Sequence, residues 1–197
     1  MSFRKAFEPY FLNEDMSDLK IICDQREFPV HKLILSARSP VFKAMFGANF
    51  AEANSKTFQI EDTDGATMEK FLHFLYTDEL RPDEEVDYKL LLLADYYQLD
   101  SLVNYGIQSM RTKISHENAL EVFYTAFLLS NEKLMDFVHL YIYLGQLDEM
   151  KKSPFWEELE NKDPKTAERV MSLISDKIHV RVDLVKKWHA LACREDL

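Results

Sequence analysis

The chain has 197 residues, 47% of them hydrophobic, enough to build a substantial core in one domain or two small ones. Its formal charge is −10, with 24 Lys and Arg against 34 Asp and Glu and no basic cluster, which argues against direct nucleic-acid binding. Only 4 glycines are present, so flexible linkers and phosphate-cradling loops are not expected. The longest apolar run, Leu90 to Ala94, falls far short of the ~20 residues that span a bilayer. Arg4, Lys5 and Glu8 interrupt any signal-peptide core. Cys23 and Cys193 stand far apart and are expected to be reduced, as suits the cytoplasm or nucleus.

Phe3, Phe7, Tyr10 and Phe11 fall at i, i+4, i+7 and i+8, one stripe of a helix that Pro9 weakens. These aromatics have two possible destinations, the core of their own chain or a second copy. Leu19, Ile21 and Cys23 then alternate with Lys20, Ile22 and Asp24, the period-two pattern of a strand with one buried face. The polar tetrad Asp24 to Glu27 predicts a chain reversal. Phe28 is expected to begin a second strand that Pro29 confines to an end or edge. Leu33, Ile34 and Ala37 predict a helix stopping at Ser39, before Pro40.

A second helix carries Val41, Phe42, Met45 and Phe46, with Gly47 as its expected C-terminal cap. Residues 48–56 read as a polar loop, and Thr57 to Ile60 as a third strand. Asp62 to Asp64 supply capping oxygens for a helix whose core positions are Met68, Phe71, Leu72 and Leu75. Tyr76 to Leu80 predict a turn with room for one more short strand. Asp83 to Glu85 predict a loop that favours the positive end of the next helix. That helix bears Leu90, Leu91, Leu93, Ala94 and Tyr97, and its successor Leu102, Val103, Ile107 and Met110.

From Ser115 onward the pattern is helical only. Leu120, Phe123, Tyr124, Phe127 and Leu128 are separated by Ser130 to Glu132 from Leu134, Phe137, Val138 and Tyr141, a spacing that makes an antiparallel helix pair. Asp163-Pro164 is a helix start, with Ala167, Val170, Met171 and Ile174 on the core face. Leu184, Val185, Trp188 and Leu191 predict one last helix.

Asp18, the segment Glu27-Phe28-Pro29-Val30-His31-Lys32 and the run Ala37 to Phe46 together resemble the first third of a BTB/POZ domain. The Tyr76-Thr77-Asp78 turn and the Asp95 to Leu102 joint extend the match; glycine is the familiar third residue of that turn, so Asp78 departs from it. The resemblance implies an α+β fold: a small mixed sheet covered by helices over residues 1–114, including an N-terminal dimerisation helix. A BACK-like all-helical extension containing a 3-box would occupy residues 115–197. It is similar to the BTB half of the speckle-type POZ protein class, with no MATH domain, kelch propeller or zinc finger in these residues.

No chemistry is expected. The 6 histidines are scattered and none has metal-ligand spacing to another His or Cys. No nucleophile elbow, phosphate loop or dinucleotide fingerprint is present, so catalytic, cofactor and metal sites are all read as none. His31, at a helix start, reads as a structural residue.

Three protein-interaction surfaces are expected instead. By the resemblance, Phe3, Phe7, Tyr10 and Phe11 with Leu33 and Ile34 would form a two-fold dimer interface, and Asp18 with Lys32 would line a charged pocket on the dimer side or form a local ion pair. Phe50-Ala51-Glu52 fits the hydrophobic-any-Glu pattern of cullin-binding BTB proteins, with Phe50 either docking on cullin-3 or tucked against the second helix. Tyr96 would extend that cullin surface towards the helix pair of residues 123–143, while Tyr97, Phe127 and Phe137 read as core. The resemblance thus implies an adaptor, non-enzymatic itself, that pairs with itself or other BTB proteins and brings a cullin-3 RING ubiquitin ligase to an unknown protein substrate, with no nucleic-acid or membrane partner. The alternative is a dimerising scaffold or transcriptional regulator without ligase recruitment.

Overall fold

The structure, a computed structural model, describes residues 6–47, 55–145 and 147–176. Phe3, Phe50, Glu52, Cys193 and the final set from Leu184 to Leu191 lie outside the described residues. The chain divides into two compact units, Met1–Ser109 and Met110–Leu197.

The first unit is built on a three-stranded sheet in the order β2-β1-β3. β1 (Leu19–Cys23) pairs antiparallel with β2 (Arg26–Val30) and parallel with β3 (Thr57–Ile60). Leu19, Ile21 and Cys23 are buried on one face, matched across the hairpin by Val30 and Phe28. The reversal is tighter than the polar tetrad suggested. Only Asp24 and Gln25 form it, both at positive φ (50° and 60°), the two-residue turn whose twist suits a hairpin. Arg26 and Glu27 therefore already belong to β2, two residues earlier than expected. Pro29 lies on an edge strand, where its missing N–H breaks no central ladder.

Helices α1 (Lys32–Arg38) and α2 (Pro40–Met45) follow without a spacer. Ser39 ends the first and caps the second: its hydroxyl oxygen accepts from Phe42 N–H at 3.2 Å, and the hydroxyl donates to the Tyr97 carbonyl at 2.6 Å. Pro40 at the first position of α2 suits a site with no helical N–H partner to lose. Gly47 does not provide the expected left-handed cap; Phe46 occupies the C-cap position, and no described glycine has positive φ.

α3 (Gly65–Thr77) buries Met68, Phe71, Leu72 and Leu75, and is started by the Asp64 carboxylate, which accepts from Thr67 N–H at 2.8 Å. No strand follows it. The helix runs to Thr77, and Asp78 ends it in the left-handed region at φ 62°. That conformation explains why glycine suits the position, and the Asp78 carboxylate is held there by the Arg38 guanidinium.

α4 (Tyr88–Tyr96) is capped by Asp87 rather than by the acidic run before it, since Glu84 is turned to the Arg81 N–H and guanidinium. α5 (Asp100–Thr112) follows, and Gly106 lets it pack closely: a Cβ there would lie 2.3 Å from Leu91 and 2.9 Å from Val86.

In the second unit every described element is helical. α6 (Ala119–Leu128) and α7 (Glu132–Leu144) form the expected pair, with Asn131 capping α7 by accepting from Leu134 N–H at 2.9 Å. α8 (Leu147–Met150) and α9 (Pro154–Lys162) were not foreseen. Yet Ser153-Pro154 carries the same start signal as Asp163-Pro164, and Trp156 from α9 is fully buried. The last described helix, α10 (164–176), buries Ala167, Val170 and Ile174 as its spacing predicted, while Met171, expected with them, is only half-buried.

Candidate interaction surfaces

Among the described residues, Phe7, Tyr10 and Phe11 do not form an α-helical stripe. Tyr10 ends a short 3-10 turn, Glu8–Tyr10, with Pro9 inside it and Phe7 and Phe11 on either side, and all three aromatics are half-buried against the core. Phe11 meets His73 and Tyr76 edge-on at 5.2 and 5.9 Å, with the Arg81 guanidinium 5.6 Å over its ring. Tyr10 meets His31 edge-on at 5.7 Å. Beneath them His31 is buried and fully engaged. Its Nε2 lies 2.9 Å from the Asp15 carbonyl, which only accepts, so Nε2 carries the proton. Nδ1 then accepts from the Tyr76 hydroxyl at 2.8 Å, and that same oxygen accepts the His31 backbone N–H at 3.0 Å. Burial pushes the Tyr76 hydroxyl up to about 12, which keeps this donor protonated. His31 is thus the post to which the N-terminal segment is tied.

On α1 the two residues paired by the sequence reading part company. Leu33 is 79% exposed, whereas Ile34 is 9% exposed and belongs to the core. Met16, 76% exposed at φ 59°, stands in the same N-terminal region; a methionine in a polar stretch gave no periodic signal that could have found it.

Asp18 and Lys32 meet through the backbone. The Asp18 carboxylate accepts Lys32 N–H at 2.8 Å, serving as the cap that His31, in the N-cap position, does not supply with its own side chain. The Lys32 ammonium donates to the Ser55 carbonyl at 2.8 Å and lies 5.5 Å over the Phe46 ring.

Tyr96 and Tyr97 separate as sharply as Leu33 and Ile34. Tyr97 is 3% exposed and stacks on Phe42 at 4.3 Å, while Tyr96, 71% exposed, meets the Tyr97 ring edge-on. Tyr96 stands at a cleft of about 1070 Å³ between β3 and α4. Phe58, Leu92 and Leu93 give it an apolar wall, and Asp24, Glu61, Asp62 and Asp95 an acidic one. Asp64, also lining it, is bridged to Lys89 at 3.3 Å; its carboxyl is held below the usual range chiefly by the Thr67 N–H, with Lys89 assisting.

In the second unit, Phe127 and Phe137 are half-buried rather than core, each beneath a guanidinium: Arg169 at 5.3 Å and Arg111 at 4.8 Å. α7 also exposes Leu140, Tyr143 and Leu144, at i, i+3 and i+4, opposite its buried stripe of Leu134, Val138 and Ile142. That second stripe is legible in the spacing of residues 140, 143 and 144. Among the described residues no cluster of three or more His, Cys, Asp or Glu could hold a metal ion, and no helix is long and apolar enough to cross a membrane. Cys23 is buried, its thiol 3.2 Å from the Thr63 carbonyl and pushed up by burial.

Comparison with known proteins places the chain in a family. The BTB/POZ domain matches residues 7–114. BTB/POZ domain-containing protein At4g08455 of Arabidopsis thaliana is 33% identical over 137 residues, covering 70% of this chain and 56% of that protein. TD and POZ domain-containing protein 4 of Mus musculus is 31% identical over 170 residues, covering 83% of this chain and 45% of that protein. Kelch-like protein 40 of Xenopus tropicalis is 31% identical over 122 residues, covering 62% of this chain and 20% of that protein. The chain therefore spans between one fifth and just over half the length of these relatives. The BTB domain of human Gigaxonin aligns over 53% of this chain and 85% of that one, with a TM-score of 0.45 and 22% identity. With more than half of its residues matched, the chain belongs to the BTB/POZ domain family of protein-interaction modules.

Proposed function

We propose that this protein is a dimerising adaptor that docks cullin-3, bringing a RING ubiquitin ligase to a protein substrate in the cytoplasm or nucleus. The dimer surface would centre on Leu33 of α1, flanked by the N-terminal aromatics Phe3, Phe7, Tyr10 and Phe11 and underlain by Ile34. Asp18 and Lys32, at the first turn of the same helix, would line its charged pocket. The cullin surface would join Phe50 and Glu52 to Tyr96. Residues 115–197 would be the BACK-like extension. Two copies would present two ligase arms to one target, raising effective concentration without new contacts.

The observation that carries this reading is Tyr96. A large amphipathic side chain lies 71% exposed at the border of an apolar, acid-rimmed cleft, on a molecule whose matched domain is an interaction module. One wall of that cleft is β3, the strand that follows the Phe50-Ala51-Glu52 tripeptide in sequence.

Pull-down of cullin-3 by the full chain tests it. Wild type is expected to retain cullin-3, Phe50→Asp and Tyr96→Ala to lose it, and both variants to keep the wild-type size-exclusion mass. Failure of wild type to bind cullin-3 removes the ligase role and leaves the dimerising scaffold or transcriptional regulator.

A further inference from the structure

The sheet has two edges, and only one of them is blocked. In the order β2-β1-β3, β2 carries Pro29, which has no N–H to offer a neighbouring strand. β3 carries no proline. Its ladder with β1 is parallel and starts from Lys20 N–H on the Lys56 carbonyl at 2.9 Å. Alternate residues of a parallel strand bond to the same neighbour, so Phe58 and Ile60 give their backbone groups to β1 while Thr57 and Gln59 turn theirs to the outer edge. The Ser55 hydroxyl takes up Thr57, accepting its N–H at 3.2 Å and donating to its carbonyl. Among the described residues nothing takes the Gln59 N–H or carbonyl.

That open edge borders the cleft of about 1070 Å³ between β3 and α4. β3 is itself patterned in two faces, with Phe58 and Ile60 turned inward and Thr57 and Gln59 exposed. Leu92 and Leu93 add apolar lining from α4. Four exposed carboxylates, those of Asp24, Glu61, Asp62 and Asp95, also line the cleft, and no described cation is paired with any of them. Lys89, the cation among the lining residues, is already bridged to Asp64 at 3.3 Å.

We propose that the β3 edge receives an extended segment of a partner protein, added to the sheet as a further strand, in which Lys or Arg alternates with apolar residues. Main-chain bonds to Gln59 hold such a segment whatever its sequence; the cleft selects which sequence. An added strand repeats the pleat of its neighbour. One set of its side chains therefore lies beside Phe58 and the α4 leucines, and the other on the exposed face that Gln59 and Glu61 share, their side chains joined at 3.1 Å. Four unpaired carboxylates on a chain of charge −10 favour cations in that second set. The proposal goes beyond the cullin-3 reading and stands without it, although Tyr96 borders both surfaces.

The test uses the full chain and a capped peptide of about eight residues in which lysine and valine alternate, followed by NMR titration to about 1 mM and by amide exchange. Saturating peptide is expected to slow exchange of the Gln59 N–H about tenfold, while Phe58 and Ile60, already bonded to β1, keep their rates. A peptide alternating glutamate with valine should not bind. The double variant Glu61→Gln with Asp62→Asn alters two exposed side chains and should weaken the lysine peptide about tenfold. Successive N–H groups of a strand point to opposite edges, so methylating every lysine nitrogen or every valine nitrogen should abolish binding in one case and spare it in the other. Absence of binding, binding that leaves Gln59 exchange unchanged, or equal binding of both methylated peptides overturns the strand addition. Equal affinity for the glutamate peptide, or for the double variant, overturns the cationic partner. None of these measurements touches Phe50 or Tyr96, so failure of cullin-3 to bind the wild type leaves this result standing, and the reverse holds too.

Discussion

Tyr76 serves His31 twice with one oxygen, accepting its backbone N–H at 3.0 Å and donating to its ring Nδ1 at 2.8 Å. The remaining ring nitrogen reaches the Asp15 carbonyl, so the α3 hydroxyl, the residue before α1 and the N-terminal segment form one chain of hydrogen bonds. Removing the hydroxyl leaves two buried groups without a partner, a loss that apolar packing does not replace. Tyr76→Phe is expected to lower stability by about 2 kcal/mol, read as a lower urea midpoint at unchanged slope. Amides of residues 10–17 should exchange faster in the same variant. An unchanged midpoint would show that the hydroxyl is dispensable.

How much of this was readable beforehand depends on the range of each interaction. The β1 alternation, the Ser39-Pro40 junction and the Asp163-Pro164 helix start are local patterns, and the structure forms them where the residues indicated. The Asp24-Gln25 turn escaped because its residues take positive φ without a glycine to advertise it. Leu33 and Ile34 are adjacent on a helix of 7 residues, too short for periodicity to decide which faces the core. The Asp18 carboxylate capping Lys32 acts across 14 residues of sequence, and pairing by charge suggested a side-chain contact rather than a backbone one. Tyr96 and Tyr97 differ in exposure because only Tyr97 finds Phe42 to stack upon, a contact 55 residues away in sequence.

The left-handed residue Asp78 gives a second prediction. Two effects hold it: tolerance of positive φ, which Asp shares with Asn, and the pair with Arg38. Asp78→Asn keeps the first and loses the second, whereas Asp78→Ala loses both. The expected order of stability in thermal unfolding is wild type, then Asn, then Ala, with Ala less stable than Asn by about 1 kcal/mol. Ala equal to Asn would mean that backbone conformation contributes nothing at this helix end.

Acid sensitivity follows from two carboxylates. Glu69 is held below its usual 4.5 first by Arg26 and further by Arg81, and Asp64 below its usual 3.8 first by the Thr67 N–H. Because both are depressed in the folded state, the stability they add is fully present above their unfolded values and is lost as pH falls through the folded ones. Urea midpoints measured from pH 7 downward should stay level until about pH 5 and then decline. Glu69→Gln should lower the plateau and flatten the decline. A variant with the wild-type slope would show that other carboxylates govern the acid limb.

The dimer surface is best tested where folding is not at stake. Phe7 packs against the core, so a charge there disturbs the monomer as well as any interface. Leu33 is 79% exposed in the single chain, and replacing it costs the isolated fold little, within about 0.5 kcal/mol. At a two-fold interface the same change is made twice, and Leu33→Asp buries two carboxylates without partners. Light scattering of wild type should give twice the mass of the chain, and Leu33→Asp the mass of one chain, with the thermal midpoint of the diluted wild type retained. A dimer that persists in Leu33→Asp would move the interface away from α1, and with it the role assigned to the aromatics around Phe7.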